Sequence, residues 1–318
     1  MKKVTWGIVG PGNIAHSFAH DFQFAKYGEL KAVASRSLTR AHNFANKYGI
    51  PKAYGSYAEL YADKEIDIVY IATPHVFHHE NSVDAISSGK AVFCEKPLTV
   101  NLQETDSLIA LAKEKDKYLA EAMWTYFLPV INKVSEWVSE GRIGRVLSIK
   151  ADFGNRVPFD PDSRMYSPDL AGGTLLDMGI YPLAITWLIY KSEPINISVI
   201  SRKASTGVDN DVNMLFEYED ASASLHSSFR SKLNNHAYII GEKGYIDIPE
   251  FWHARECLLY ESENLIDRFQ DDREGKGYEF EIDAVSMDLI NGLRQSEVMP
   301  LDYSRKLQEH MQMVIDKF

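Results

Sequence analysis

The chain has 318 residues, 45% hydrophobic and 25% charged, with a formal net charge of −11, values ordinary for a soluble globular protein of about two domains. The acidic balance argues against nucleic acid as a main partner, because phosphate contacts need clustered Lys and Arg. No run of about 18 apolar residues predicts a membrane span, and the start of the chain enters its first strand without a cleavage site, so no signal peptide is expected. Cys94 and Cys257 are the only cysteines; they cannot make a disulfide framework, neither has metal-ligand spacing, and a reducing cytoplasm fits.

Residues 4–9 read as a short buried strand, and Gly10, Gly12 and Ala15 follow at the G-x-G-x-x-G/A positions of a strand-to-helix turn. The first glycine permits the tight turn, the second lets a pyrophosphate approach bare backbone, and the alanine lets the helix pack closely. Asn13 and Ile14 open that helix, expected over 13 to about 26, and its free N–H groups face the phosphates. A second strand over 30–34 delivers Ser35, Arg36 and Ser37. An NAD enzyme would place a carboxylate for the ribose 2′-hydroxyl here, and this chain has none. Arg36, with Arg40 one turn on, suits a 2′-phosphate, so NADP is the predicted coenzyme and NAD the alternative.

A helix over 38–48 closed by Gly49, a strand over 51–54 and a short helix over 57–61 come next. The apolar run 66–72 reads as a strand covered on both faces, and it delivers Thr73, Pro74 and His75, then His78 and His79. Ligands of open parallel sheets sit outside the carboxyl ends of the strands, which places Thr73, Pro74, His75 and His78 by the coenzyme. The three histidines lack a carboxylate or cysteine at ligand spacing, so no metal is predicted. After a helix over 81–88, the strand 91–94 ends in Glu95, Lys96 and Pro97, beside the nicotinamide by the same rule.

A helix over 101–115 and a strand over 118–123 complete a dinucleotide-binding Rossmann domain, residues 1–123. From 124 to 318 the pattern changes. A helix over 129–140 precedes long strands at 146–154, 195–202, 212–219, 222–230 and 237–248, whose alternation predicts a large, predominantly antiparallel open sheet. Its free face is a candidate dimer surface. Helices over 175–189, 280–292 and 304–317 complete an α+β domain for substrate binding and oligomerisation, the last helix being a candidate to pack back on the first domain. The irregular stretch 155–173 is a candidate cover for the active site. Asp177 and Tyr181, four apart, share one helix face.

The glycine turn, Ala72-Thr73-Pro74-His75 with His78, and the run from Gly89 to Glu95-Lys96-Pro97 resemble the Gfo/Idh/MocA family of NAD(P)-dependent oxidoreductases. That resemblance implies a catalytic, substrate-binding role for Lys96, a cis peptide before Pro97, and a Rossmann domain followed by an α+β domain. The family's usual Asp-x-Gly-x-His reads Asp177-Met178-Gly179-Ile180-Tyr181 here. With Glu121-Ala122-Met123-Trp124, this is similar to the dimeric dihydrodiol dehydrogenase subgroup, which includes NADP-dependent D-xylose 1-dehydrogenases. The subgroup implies an active site of Lys96, Trp124, Phe153, Asp177 and Tyr181. It usually carries Trp-Thr-Arg-Phe where this chain has Tyr126, and a lost guanidinium removes up to about five donors.

The function implied is hydride transfer between NADP and an alcohol carbon of a sugar, polyol or trans-dihydrodiol. Either Tyr181, activated by the Lys96 ammonium, or Lys96 itself carries the proton, while Asp177 orients a hydroxyl. An inositol or other sugar dehydrogenase using NAD is one alternative. A non-catalytic NADP-binding regulator is another, because a fold does not fix a function.

Overall fold

The computed structural model describes residues 3–318. It divides into two compact units, one comprising residues up to Phe127 together with Arg273–Arg305, the other Leu128–Asp272 with Lys306–Phe318. A single cut at 123/124 would leave 273–305 with the second half; the fold returns that segment to the first unit.

In the first unit, β1 (Val4–Val9), β2 (Gly28–Ala34), β3 (Lys52–Tyr54), β4 (Ile68–Ile71), β5 (Ala91–Glu95) and β6 (Leu119–Ala122) form a sheet ordered β3-β2-β1-β4-β5-β6, and every pairing is parallel. This is the doubly wound order whose direction reverses between β1 and β4. Every residue of β4 and β5 is buried, as expected of central strands with helices on both faces. The connecting helices are α1 (Asn13–Asp21), α2 (Leu38–Tyr48), α3 (Tyr57–Ala62), α4 (His78–Ser87) and α5 (Leu102–Glu114). Local signals set several of their ends: Ser37 caps α2 and Gly49, at φ +66°, stops it, while Ser56 and Glu59 form a capping box on α3.

Helix α1 stops about five residues before the end its sequence pattern suggests. Lys26 and Tyr27, at the expected end, donate their N–H groups to Asp283 Oδ1 instead, at 2.7 and 2.8 Å. The buried Asp21 carboxylate accepts the N–H groups of Lys276 at 2.8 Å, Gly277 at 3.1 Å and Tyr278 at 3.1 Å, and together with Glu279 Oε2, which accepts the Gly277 N–H at 2.9 Å, it satisfies the start of α8 (Tyr278–Ile290). Trp6 Nε1 donates to Ser286 Oγ at 3.0 Å, and a Cβ on Gly28 would sit 2.7 Å from Ile282. Helix α8 therefore lies against β1 and β2 and belongs to the first unit's core.

The second unit holds an eight-stranded sheet ordered β14-β13-β12-β11-β7-β10-β9-β8, antiparallel throughout except for the β7–β10 pair. Its strands are β7 (Val146–Gly154), β8 (Asn196–Lys203), β9 (Asp209–Glu217), β10 (Ser222–Ser228), β11 (His236–Gly241), β12 (Tyr245–Pro249), β13 (Glu256–Glu261) and β14 (Asn264–Gln270). The stretch 237–248 is thus a hairpin rather than one strand. It folds at Gly241–Gly244, where a Cβ on Gly244 would fall 1.9 Å from the Tyr260 carbonyl oxygen. Strands β13 and β14 were not expected; of their apolar residues only Cys257 and Leu259 are fully buried, which leaves little alternation to read.

Helix α6 (Pro129–Ser139) packs on β13 and β14, and α7 (Ile180–Tyr190) on β7 and β10. Before α7 the chain makes a π turn, Leu175–Gly179, where a plain helix was expected. Pro182 has no N–H for the Met178 carbonyl and its ring crowds that oxygen, so the wider turn takes up the fault. Pro168–Tyr190 is long and apolar enough in composition to cross a membrane, but 78% of its most apolar window is buried within the protein, the mark of a core helix. Helix α9 (Leu301–Ile315) divides between the units at Arg305.

Candidate functional site

The carboxyl ends of β1, β2 and β4 gather the residues expected around the dinucleotide. Gly10 has φ +87°, and a Cβ there would lie 2.9 Å from Thr73 Cγ2, so only glycine fits where the turn crosses the end of β4. A Cβ on Gly12 would meet only the Ala72 carbonyl oxygen, at 3.7 Å, leaving open backbone before the helix. The first turn of α1, with Asn13 and Ile14, carries neither a side-chain cap nor an acidic residue. Its N–H groups and the positive end of its dipole are thus left without an acidic or capping side chain, the arrangement that suits an anion.

At the end of β2, Ser35 is buried and accepts the Ser37 N–H at 3.3 Å. Arg36 is exposed, with its guanidinium carbon 5.9 Å from the Phe77 ring centroid. Burial pushes the Tyr57 phenol up, and the Arg36 and Arg40 guanidinium groups pull it back. Neither pairs with a carboxylate among the described residues.

The histidines divide their work. His75 is buried, and His78 is fully buried with Nδ1 2.8 Å from the Pro97 carbonyl oxygen and Nε2 2.8 Å from that of Thr73. His78 therefore ties the end of β4 to the turn after β5 through backbone. His79 meets Ser107 Oγ at 2.9 Å. Among the described residues no group of three potential ligands could hold a metal.

Lys96 follows β5 and precedes a cis peptide to Pro97. Its N–H donates to Glu95 Oε2 at 3.2 Å, and the Tyr70 hydroxyl donates to Glu95 Oε1. Glu95 is thereby occupied inside the unit, and Lys96 is partly exposed at its surface. Burial drives the nearby Glu121 carboxyl up to about 7, although the Leu98 N–H and Ser304 hydroxyl oppose the shift. Trp124 stacks on Tyr278, with centroids 4.4 Å apart at 18°. Tyr126, in the position of the subgroup's arginine, is 2% exposed and packs edge-on against Tyr303, so it fills core rather than presenting a polar group.

In the second unit Asp177 lies within the π turn and Tyr181 in the first turn of α7. Phe153, near the end of β7, stacks on Trp252 at 4.0 Å and 16° and meets Tyr181 edge-on at 5.5 Å. Arg164 reaches back from the 155–173 stretch to Asp177 Oδ1 at 3.3 Å. A carboxylate, a phenol, a guanidinium and an aromatic pair are thus close together in this unit, with Tyr181 and Phe153 buried. Trp252, Tyr278 and Arg164 were not singled out from sequence, although Arg164 lies within the 155–173 stretch.

The NAD-binding Rossmann model of the Gfo/Idh/MocA oxidoreductase family matches residues 4–123, and the family's C-terminal domain model matches 131–247. The chain is 36% identical to trans-1,2-dihydrobenzene-1,2-diol dehydrogenase of Mus musculus, covering 96% of this chain and 93% of that one. The Homo sapiens protein of the same name is 34% identical, covering 97% and 95%. The chain belongs to the Gfo/Idh/MocA family. It is therefore an NAD(P)-dependent oxidoreductase.

Solved structures share the whole fold of this family member. An aldose-aldose oxidoreductase from Caulobacter crescentus superposes with a TM-score of 0.91 at 21% identity, over 99% of this chain and 97% of that one. A 3-ketoreductase from Actinomadura kijaniata, in complex with NADP and TDP-benzene, gives 0.87 at 22% identity, over 99% and 98%.

Proposed function

We propose that this oxidoreductase transfers hydride between NADP and a ring or chain CH–OH of a small trans-diol, sugar or polyol. The observation that carries the substrate class is the side-chain set of the second unit: a stacked Phe153–Trp252 wall beside Tyr181 and the Arg164–Asp177 pair. A flat apolar face next to polar groups suits a ring that bears adjacent hydroxyls. The full-length relatives named for a dihydrobenzene diol support the same reading.

Oxidation takes a hydride from carbon and a proton from its hydroxyl, leaving a carbonyl. Bound NADP supplies the hydride acceptor. Gly10, Gly12, Asn13 and Ile14 hold its pyrophosphate, Ser35, Arg36 and Arg40 its 2′-phosphate, and Thr73, Pro74 and His75 line its path. Glu95 contributes by fixing the backbone of Lys96. Tyr181 takes the hydroxyl proton, the Lys96 ammonium favours the phenolate that can do so, and Asp177 accepts a hydrogen bond from a neighbouring hydroxyl. Trp124 and Phe153 flank the ring.

The same proposal includes a homodimer formed through the open face of the second unit's sheet, supported by Ile200 and Leu215, which are 68% and 52% exposed, and by the stacked Tyr245–Tyr260 pair. It also includes a cytoplasmic location, supported by two buried free thiols. The test is a panel of pentoses, hexoses, inositols and trans-diols scored by absorbance of reduced nicotinamide, with Tyr181→Phe alongside. Tyr181→Phe should lower kcat about a hundredfold or more with NADPH affinity unchanged. Near-normal turnover would remove Tyr181 from the reaction, and coenzyme binding without turnover of any panel member would favour a regulatory role.

A further inference from the structure

The segment that carries Asp177 and Tyr181 does not cap its own start. Thr174 makes no side-chain cap, and among the described residues its buried Oγ1 has no partner. The acceptor comes from Asp209, the first residue of β9. The Leu175 N–H donates to Asp209 Oδ2 at 2.7 Å.

Asp209 is only 9% exposed, and the fold makes space for it. Gly173 has φ +122°, and a Cβ there would lie 2.2 Å from Asp209 Oδ1. Both the backbone angle and the space exclude a larger residue. On its other side, the Leu175 carbonyl accepts the Ile180 N–H, five residues on. Leu175 is therefore held through its N–H by β9 and through its carbonyl by the π turn, and Asp177 sits inside that span. π turns of this kind are frequent at functional sites.

We infer that Asp209 is a positioning residue for the reaction, clamping Leu175 so that the π turn aims Asp177 and Tyr181. The inference rests on the roles proposed above for those two side chains. Asp209 touches neither of the reacting partners; it acts through the backbone it holds.

The test compares Asp209→Asn, Asp209→Ala and Gly173→Ala in the full-length protein. Readouts are kcat, KM, NADPH affinity and amide hydrogen exchange over residues 174–181. Asp209→Ala removes the acceptor and Gly173→Ala displaces it, so both should lower kcat about tenfold to a hundredfold while KM changes less than about threefold. Exchange over 174–181 should quicken about tenfold, with NADPH affinity unchanged. Asp209→Asn keeps one acceptor oxygen and should retain about a third or more of kcat. Wild-type kcat per NADPH-binding site in Asp209→Ala, or unchanged exchange, overturns the inference. If Asp209→Ala fails to fold, the contrast between Asp209→Asn and Gly173→Ala decides it. Should the wild type turn over no panel substrate, the hydride-transfer reading fails, and the exchange arm still reports whether Asp209 holds the turn.

Discussion

Replacing Arg36 by alanine should convert an NADP enzyme toward indifference between NADP and NAD. The guanidinium stands exposed at the end of β2 over Phe77, with Arg40 four residues on, and among the described residues neither makes an ion pair with a carboxylate. A hydrogen bond to a charged group contributes about 1.5–3 kcal/mol, and solvent exposure keeps the value toward the lower end. Loss of Arg36 should therefore weaken NADPH about tenfold to a hundredfold, at about 1.4 kcal/mol per decade. NADH has no 2′-phosphate and should bind within about threefold of wild type. Fluorescence titration of both coenzymes, repeated at raised salt, reads the result, and the NADPH preference should shrink as salt screens the pair. Equal losses for both coenzymes would mean that Arg36 supports the loop rather than the phosphate. No loss for NADPH would refute the assignment outright.

Glu121 offers a test of burial through pH. Its carboxyl is pushed up to about 7 in the folded protein against about 4.3 for a free glutamate, so the native state keeps a proton that the unfolded chain releases. Stability should thus fall as pH rises between about 4.5 and 7, at a cost of up to about 3 kcal/mol at pH 8. Glu121→Gln keeps the acceptor for the Leu98 N–H and should raise the urea midpoint at pH 8 but not at pH 4.5; a pH-independent difference would contradict this. Leu215→Asp on the open sheet face should leave turnover intact while shifting sedimentation from dimer to monomer, and an unchanged dimer would point to another face. Trp252→Ala should lower kcat/KM for a cyclic diol about tenfold by removing its stacking face, with little effect on a linear polyol; equal loss on both would make Trp252 a packing residue.

The first half of the chain was readable because its signals are local. A parallel strand buried on both faces is an unbroken apolar run, as in Ile68–Ile71, and glycines mark the turns between. The alternation of β9 and β10 was equally plain. What could not be read depends on distant partners. Nothing near Tyr278 says that its helix is started by Asp21, and nothing near Leu175 names Asp209. Strands β13 and β14 bury too little to show a period. The contacts of the His78 ring to two backbone carbonyls likewise join segments that are distant in sequence. The arginine position occupied by Tyr126 shows the same limit: a departure in sequence suggested altered recognition, and the side chain packs inside.

The return of residues 273–305 to the first unit bears on how the protein is made. Domains commonly fold as they leave the ribosome, the N-terminal one first. Here the coenzyme-binding half would emerge early yet wait for its last helix, with the partners of Trp6 and Asp21 still untranslated. A fragment ending at residue 127 should accordingly be sticky and poorly soluble, whereas adding a linked copy of 273–305 should rescue it.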